Sequence, residues 1–253
     1  MFRDVNLHWL VQPNCKINPK CFLVWRIVYT LLVIHEVIYH NAIYDARPLK
    51  ELASITIWAE YMTLIQSVCL VSLQIAYMCR RIEDYKIDMA DPNTTQEIGN
   101  KCRRCFSKFL YIWYEIAFSW NPAVTLMFWG LMASWSTPLE NYINVWLHGG
   151  LLVVMIVDFF MSQMHFKPRH WWVVLVPSFA YLLVNLIVTL ADEPVYDFIT
   201  FKSVLTYVYI VLTLGLIVGS FFMWYGFSVC KSRHISSRYY TPVRKGSSTV
   251  IGL

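Results

Sequence analysis

The chain reads as an all-α polytopic membrane protein, six transmembrane helices in one bundle with both termini cytoplasmic. Three observations predict this. Charged residues make up only 15% of the 253, where soluble domains carry about 25%. Six apolar segments are long enough to cross a bilayer, whose hydrocarbon core takes about 20 helical residues. The Lys and Arg residues between those segments and at their ends divide seventeen to three, with only Arg47, Lys50 and Lys202 on the poorer side. The positive-inside rule then places both ends in the cytoplasm.

Residues 1–21 form a cytoplasmic N-terminal segment with Arg3, Asp4, Lys16 and Lys20 and no apolar core. No cleavable signal is expected there, and the first apolar run serves as signal anchor. The expected spans, together the domain 22–230, are Phe22–Tyr44, Ala53–Met78, Phe106–Trp135, Tyr142–Met164, His170–Leu190 and Phe201–Cys230. Asn121-Pro122 predicts a kink in the third, because proline removes a backbone donor and crowds the preceding turn. Pro177 predicts another in the fifth. Gly215 and Gly219 form a GxxxG in the sixth, a spacing that permits close helix approach, and packing within the bundle is expected rather than dimerisation. Residues 231–253 are basic and rich in Ser and Thr. They are expected to be a disordered cytoplasmic tail, either lying against anionic lipid or simply solvated. The sequon at Asn93 falls in a cytoplasmic loop and is expected to be unused.

Seven cysteines in so apolar a chain do not suggest a disulfide framework. Cys79, Cys102, Cys105 and Cys230 lie just outside the spans, where cysteines are common palmitoylation sites; plain free thiols are the alternative. Cys102-Arg-Arg-Cys105 could form half a zinc site, but no second pair supplies the four ligands a closed site needs. No metal, no cofactor and no nucleic-acid partner is expected. The partner the composition implies is membrane lipid.

Ionisable residues at membrane depth are costly and usually mark a site or pathway. Here they are Arg26, His35, Glu36, Glu60, Glu115, His148 and Asp158. Depth follows from the 1.5 Å rise per residue. Thr56 enters about 5 Å from the outer side on the second helix, and Glu60 lies one turn deeper on the same face. His148 enters about 9 Å on the fourth helix. The three can share one outer layer. Asp158 lies about 15 Å beyond His148, level with Arg26. These two either form an ion pair or are satisfied separately, Arg26 by snorkelling and Asp158 by hydroxyls.

A Thr hydroxyl becomes a nucleophile when a base, usually His, takes its proton. In the outer layer Thr56 would attack, His148 would be base and Glu60 would orient the imidazole as the acid does in a triad. Histidines and threonines also bridge membrane helices with no reaction at all. Fingerprints for serine hydrolases, zinc proteases and nucleotide binding are missing.

Thr56-Ile57-Trp58 at the head of the second helix resembles the Leu-Thr-x-Trp element of the rolling stone family. His148-Gly149, followed by an apolar run to Asp158, resembles that family's His-Gly-x-Asn…Asp helix. Pro168-Arg169-His170 with Pro177 resembles its Pro-x-Arg-x-x-His…Pro segment, the His displaced. Gly150 and Leu151 replace the x-Asn of the pattern, and Ala59 follows Trp58 in place of Gly. That family is associated with myoblast fusion. It is distantly similar to the androgen-induced-gene family of membrane hydrolases acting on fatty-acid esters of hydroxy fatty acids. The catalytic Thr and His of those hydrolases fall on Thr56 and His148, which implies a Thr/His lipid-ester hydrolase of the plasma membrane or endoplasmic reticulum. The competing reading is a non-enzymatic membrane protein acting in cell fusion, adhesion or scaffolding. A channel or transporter is a third, with no internal repeat to support it.

Overall fold

The computed structural model describes residues 8–11, 13, 17–43, 53–79, 101–132, 142, 144–191, 194, 196 and 199–239. Among them the chain is helical, with no strand beyond a single bridge between Pro13 and Ser162. The α-helices are α1 (His8–Val11), α2 (Pro19–Ile43), α3 (Ile55–Cys79), α4 (Lys101–Met127), α5 (Leu151–Met161), α6 (Leu175–Ala191) and α7 (Val204–Tyr239). α4 runs on into a π-helical turn, Phe128–Met132. A second π-helical turn, Trp146–Gly150, precedes α5, and a 3-10 segment, Pro168–Val174, precedes α6.

Four stretches are long and apolar enough to cross a membrane: Pro19–Ala42, Ile55–Cys79, Pro168–Ala191 and Val204–Ser232. Their outward faces carry large exposed aliphatic side chains, among them Leu31, Ile65, Leu183 and Val211, which only a lipid environment accommodates at this density. The expected third span is a helix of a different character. α4 sits in the middle, against α3, α5, α7 and the 3-10 segment. Tyr111, Tyr114, Phe118 and Trp120 are fully buried along it, and so are Glu115, Ser119 and Asn121. A helix screened by its neighbours needs no lipid-facing surface, so its polar content is high for its length. Within the expected fourth span, Trp146–Met161 is a continuous apolar helical stretch, and it ends at Met161 rather than Met164.

Helix ends and breaks are satisfied from across the bundle. Pro122 lies inside α4 and deprives the Phe118 carbonyl of its N–H partner. Trp224 Nε1 on α7 donates to that carbonyl at 2.7 Å instead. Pro177 falls in the first turn of α6, where no intrahelical N–H is required. Lys231 is nearly buried and donates to Phe159 O, Ser162 O and Met164 O at 3.0, 3.2 and 2.5 Å. Its ammonium thus closes the carbonyl end of α5, where a cation also complements the helix dipole.

Two expectations are corrected here. Lys231 belongs to the packed bundle, and α7 continues to Tyr239; residues 240–253 of the predicted tail lie outside the described residues. Gly215 and Gly219 are exposed, and a Cβ on either would meet nothing within 4 Å. They are not used for packing in the bundle, because α7 turns Ile217, Ser220, Phe221, Trp224 and Ser228 inward.

Candidate functional site

Six polar residues of α3 fall on one stripe. Thr56, Glu60, Thr63, Gln66, Ser67 and Gln74 are all buried, while Tyr61, Ile65, Val68 and Ile75 are exposed. α2 runs antiparallel beside it, so that His40 faces Glu60 and Arg26 faces Gln74. The stripe therefore lies in the interior, and the ionisable groups of α2 and of the Trp146–Gly150 turn meet it there.

Near the N-terminal end of α3, Glu60 Oε2 is 2.8 Å from His40 Nδ1. A carboxylate against Nδ1 places the ring proton there and leaves Nε2 the basic nitrogen. Glu36 sits one turn along α2 from His40, 1% exposed, with its Oε1 unpartnered. The Trp146 indole lies beside the Glu36 carboxyl, where its N–H is directed at that group. The His148 imidazole stacks face to face on Phe128, centroids 3.5 Å apart. Its Nδ1 is buried without a partner. Gly150 is required by this arrangement: a Cβ there would stand 2.5 Å from Trp146 Cε3.

Thr56 is buried on the same face as Glu60, and its hydroxyl makes no hydrogen bond among the described residues. Neither ring nitrogen of His148 is bonded to it, so the hydroxyl and the imidazole are not joined here. The expected role of Glu60 is corrected: the imidazole it orients is His40, not His148. The reason is the α2–α3 interface, which sets His40 directly across from Glu60. His40 was missed because it falls at the end of the first span. Its signal was the i, i+4 spacing from Glu36, which puts both on one helix face.

Near the C-terminal end of α3 the structure brings Arg26 and Asp158 together. Arg26 Nε donates to Asp158 Oδ1 at 3.2 Å, with both side chains fully buried. Arg26 Nη1 donates to Gln74 Oε1 at 3.2 Å, and the guanidinium lies 4.2 Å over the Phe22 ring. Tyr114 donates weakly to Asp158 Oδ2. A second carboxylate–imidazole pair lies nearby: Glu115 Oε2 is 2.7 Å from His170 Nδ1, and Glu115 Oε1 accepts the Lys167 N–H. It ties the Pro168–Val174 segment to the central helix.

Cys79 and Cys105 are exposed near helix ends, and Cys230 is exposed within α7 near the end of its apolar stretch; the Cys102 side chain lies outside the described residues. Among the described residues no three His, Cys, Asp or Glu side chains are arranged to hold a metal ion. No family model, curated protein or solved structure matches this chain.

Proposed function

We propose that this chain is a six-span integral membrane protein of the plasma membrane or endoplasmic reticulum, both termini cytoplasmic, and that it hydrolyses a lipid ester in its outer half. The six-span topology rests on the seventeen-to-three division of basic residues, with α4 and the Trp146–Met161 stretch completing the four apolar spans. Glycosylation at Asn93 in microsomes would overturn it.

One observation carries the catalytic reading. Along the α3 stripe the other hydroxyls are committed: Thr63 donates to Ala59 O and Ser67 to Leu64 O. Thr56, in the first helical turn, has no preceding helical carbonyl to bond, and its hydroxyl is left uncommitted in the layer of an imidazole with an unpartnered nitrogen. Thr56 Oγ1 would attack the ester carbonyl carbon and pass its proton to His148. The imidazolium would then protonate the departing alkoxide, and water would release the acyl group by the same steps. His148 must turn from Phe128 to do this, a rearrangement that substrate binding can supply. The Glu60–His40 pair adds a second oriented imidazole beside it. The resemblance to the rolling stone family, and through it to the lipid hydrolases, supports the same two residues.

The face-to-face packing of His148 on Phe128 favours a second, non-enzymatic reading, in which this layer is structural and the protein acts in fusion, adhesion or scaffolding. The two separate cleanly. The hydrolase reading expects fluorophosphonate labelling and hydrolysis of a fatty-acid ester of a hydroxy fatty acid. Both should be lost in Thr56→Ala and His148→Ala and partly kept in Thr56→Ser. Wild-type protein that is folded and neither labels nor hydrolyses leaves the structural reading.

A further inference from the structure

The fold gathers basic side chains from two distant segments at the end of the bundle where α4 begins. Tyr111 on α4 donates its hydroxyl to His165 O. Glu115, one turn further along α4, holds the chain that follows: its Oε1 accepts the Lys167 N–H at 3.0 Å and its Oε2 lies 2.7 Å from His170 Nδ1. With its backbone fixed at Glu115, Lys167 runs its side chain back along α4, and its ammonium lies 5.9 Å from the centre of the Tyr111 ring. Arg169 stands within electrostatic reach of the same phenol. Lys108 precedes Tyr111 by three residues, a spacing that makes the two neighbours on the helix surface.

The 3-10 segment Pro168–Val174 sets what stands beside these cations. Its three residues per turn put i and i+3 on one face. His170 and Val173 take the buried face, so Arg169 and Trp172 share another, and both are exposed. At a rise of about 2.0 Å per residue they stand about 6 Å apart along the axis. Pro168 opens the apolar stretch Pro168–Ala191. In the membrane placement proposed above, Arg169 is therefore at headgroup level and Trp172 one turn deeper, at the interface that indoles favour. A guanidinium meets two phosphate oxygens side by side, and each lysine adds a point charge.

We propose that Lys108, Lys167 and Arg169, with Trp172 beneath them, form a headgroup site for a phosphoinositide in the adjoining leaflet. Three cations drawn together from two segments suit a headgroup with several phosphate charges better than the single net charge of phosphatidylserine. The inference rests on the membrane placement and is independent of hydrolysis and of which face is cytoplasmic.

The test is native mass spectrometry of the full chain released from phosphatidylcholine nanodiscs, which offer lipid to both faces, doped with a phosphatidylinositol bisphosphate or with phosphatidylserine. One bound phosphoinositide is expected at a doping level that leaves no phosphatidylserine bound. Arg169→Gln and, independently, Lys167→Gln should each weaken its retention about tenfold, the loss expected for one charge-assisted contact. Arg169→Lys should recover part of that loss, since a point charge replaces the fork. Lys20→Gln, the same loss of charge at an exposed site on α2, should leave retention unchanged. Arg169 is exposed and Lys167 is tied to Glu115 through its backbone, so both variants should fold; the wild-type preference between the two lipids decides in any case. Equal retention of both lipids, or losses no greater in the Arg169 and Lys167 variants than in Lys20→Gln, overturns the proposal. So does displacement of the lipid by soluble inositol trisphosphate at equal concentration, which would make the ligand a free phosphate. Protein that never enters nanodiscs refutes the membrane placement and this site with it, whereas protein that retains phosphoinositide and hydrolyses no ester refutes the enzyme reading alone.

Discussion

Asp158→Asn isolates the charge in the buried pair. The amide keeps an oxygen for Arg26 Nε, so the 3.2 Å contact can persist while the negative charge is gone. Both side chains are fully buried, and breaking a buried pair by removing one partner costs about 3–5 kcal/mol. Arg26 retains Gln74 and the Phe22 ring, which holds the loss near the low end, about 3 kcal/mol. At about 2–4 °C per kcal/mol for a domain of this size, the melting temperature in detergent should fall by roughly 6–12 °C. The double variant Arg26→Met with Asp158→Leu removes both charges and should recover most of that loss, since apolar replacement of a whole buried pair is often neutral. The assay is tryptophan fluorescence or size-exclusion retention after heating. A single variant within about 2 °C of wild type, or a double variant showing the sum of two single losses, would refute the pairing energetics.

Three further outcomes follow from the packing. Trp224→Phe strands the Phe118 carbonyl and should cost about 1–3 kcal/mol; most of that penalty should vanish when Pro122→Ala restores a backbone N–H to the same carbonyl, and an unchanged penalty would count against the exchange. Gly150→Ala should cost about 1–3 kcal/mol by overpacking against the Trp146 indole and next to nothing in a Trp146→Ala background; additive losses in the pair would sink the steric argument. His165, in the connection after α5, is held down to about 4 by burial and by the charge of Lys231. Its neutral ring is the folded form, so protonation opposes folding. Stability should fall as pH drops from about 6.5 towards 4, and His165→Gln should flatten that limb of a stability-versus-pH curve; an equal slope in the variant would rule the residue out.

What the sequence determined by itself is what depends on one coordinate, position along a helix axis. Hydropathy and the 1.5 Å rise place the helical segments, and they set Arg26 level with Asp158. The segment most at odds with a hydropathy reading is α4, because hydropathy measures contact with lipid and the middle of α4, from Tyr114 to Val124, is buried on all sides. What only the tertiary structure decided is rotation about each axis. Glu60 could have turned to His148 or to His40 at nearly the same depth, and the α2–α3 interface turns it to His40. Gly215 and Gly219 carry the spacing of a close contact, yet the inward face of α7 is the one holding Ile217, Phe221 and Trp224, so both glycines point outward. Gly150 reads as a departure from a family pattern until Trp146 is seen lying across it. A helix's azimuth is set by the sum of its contacts with every neighbour, and those neighbours are distant in the chain.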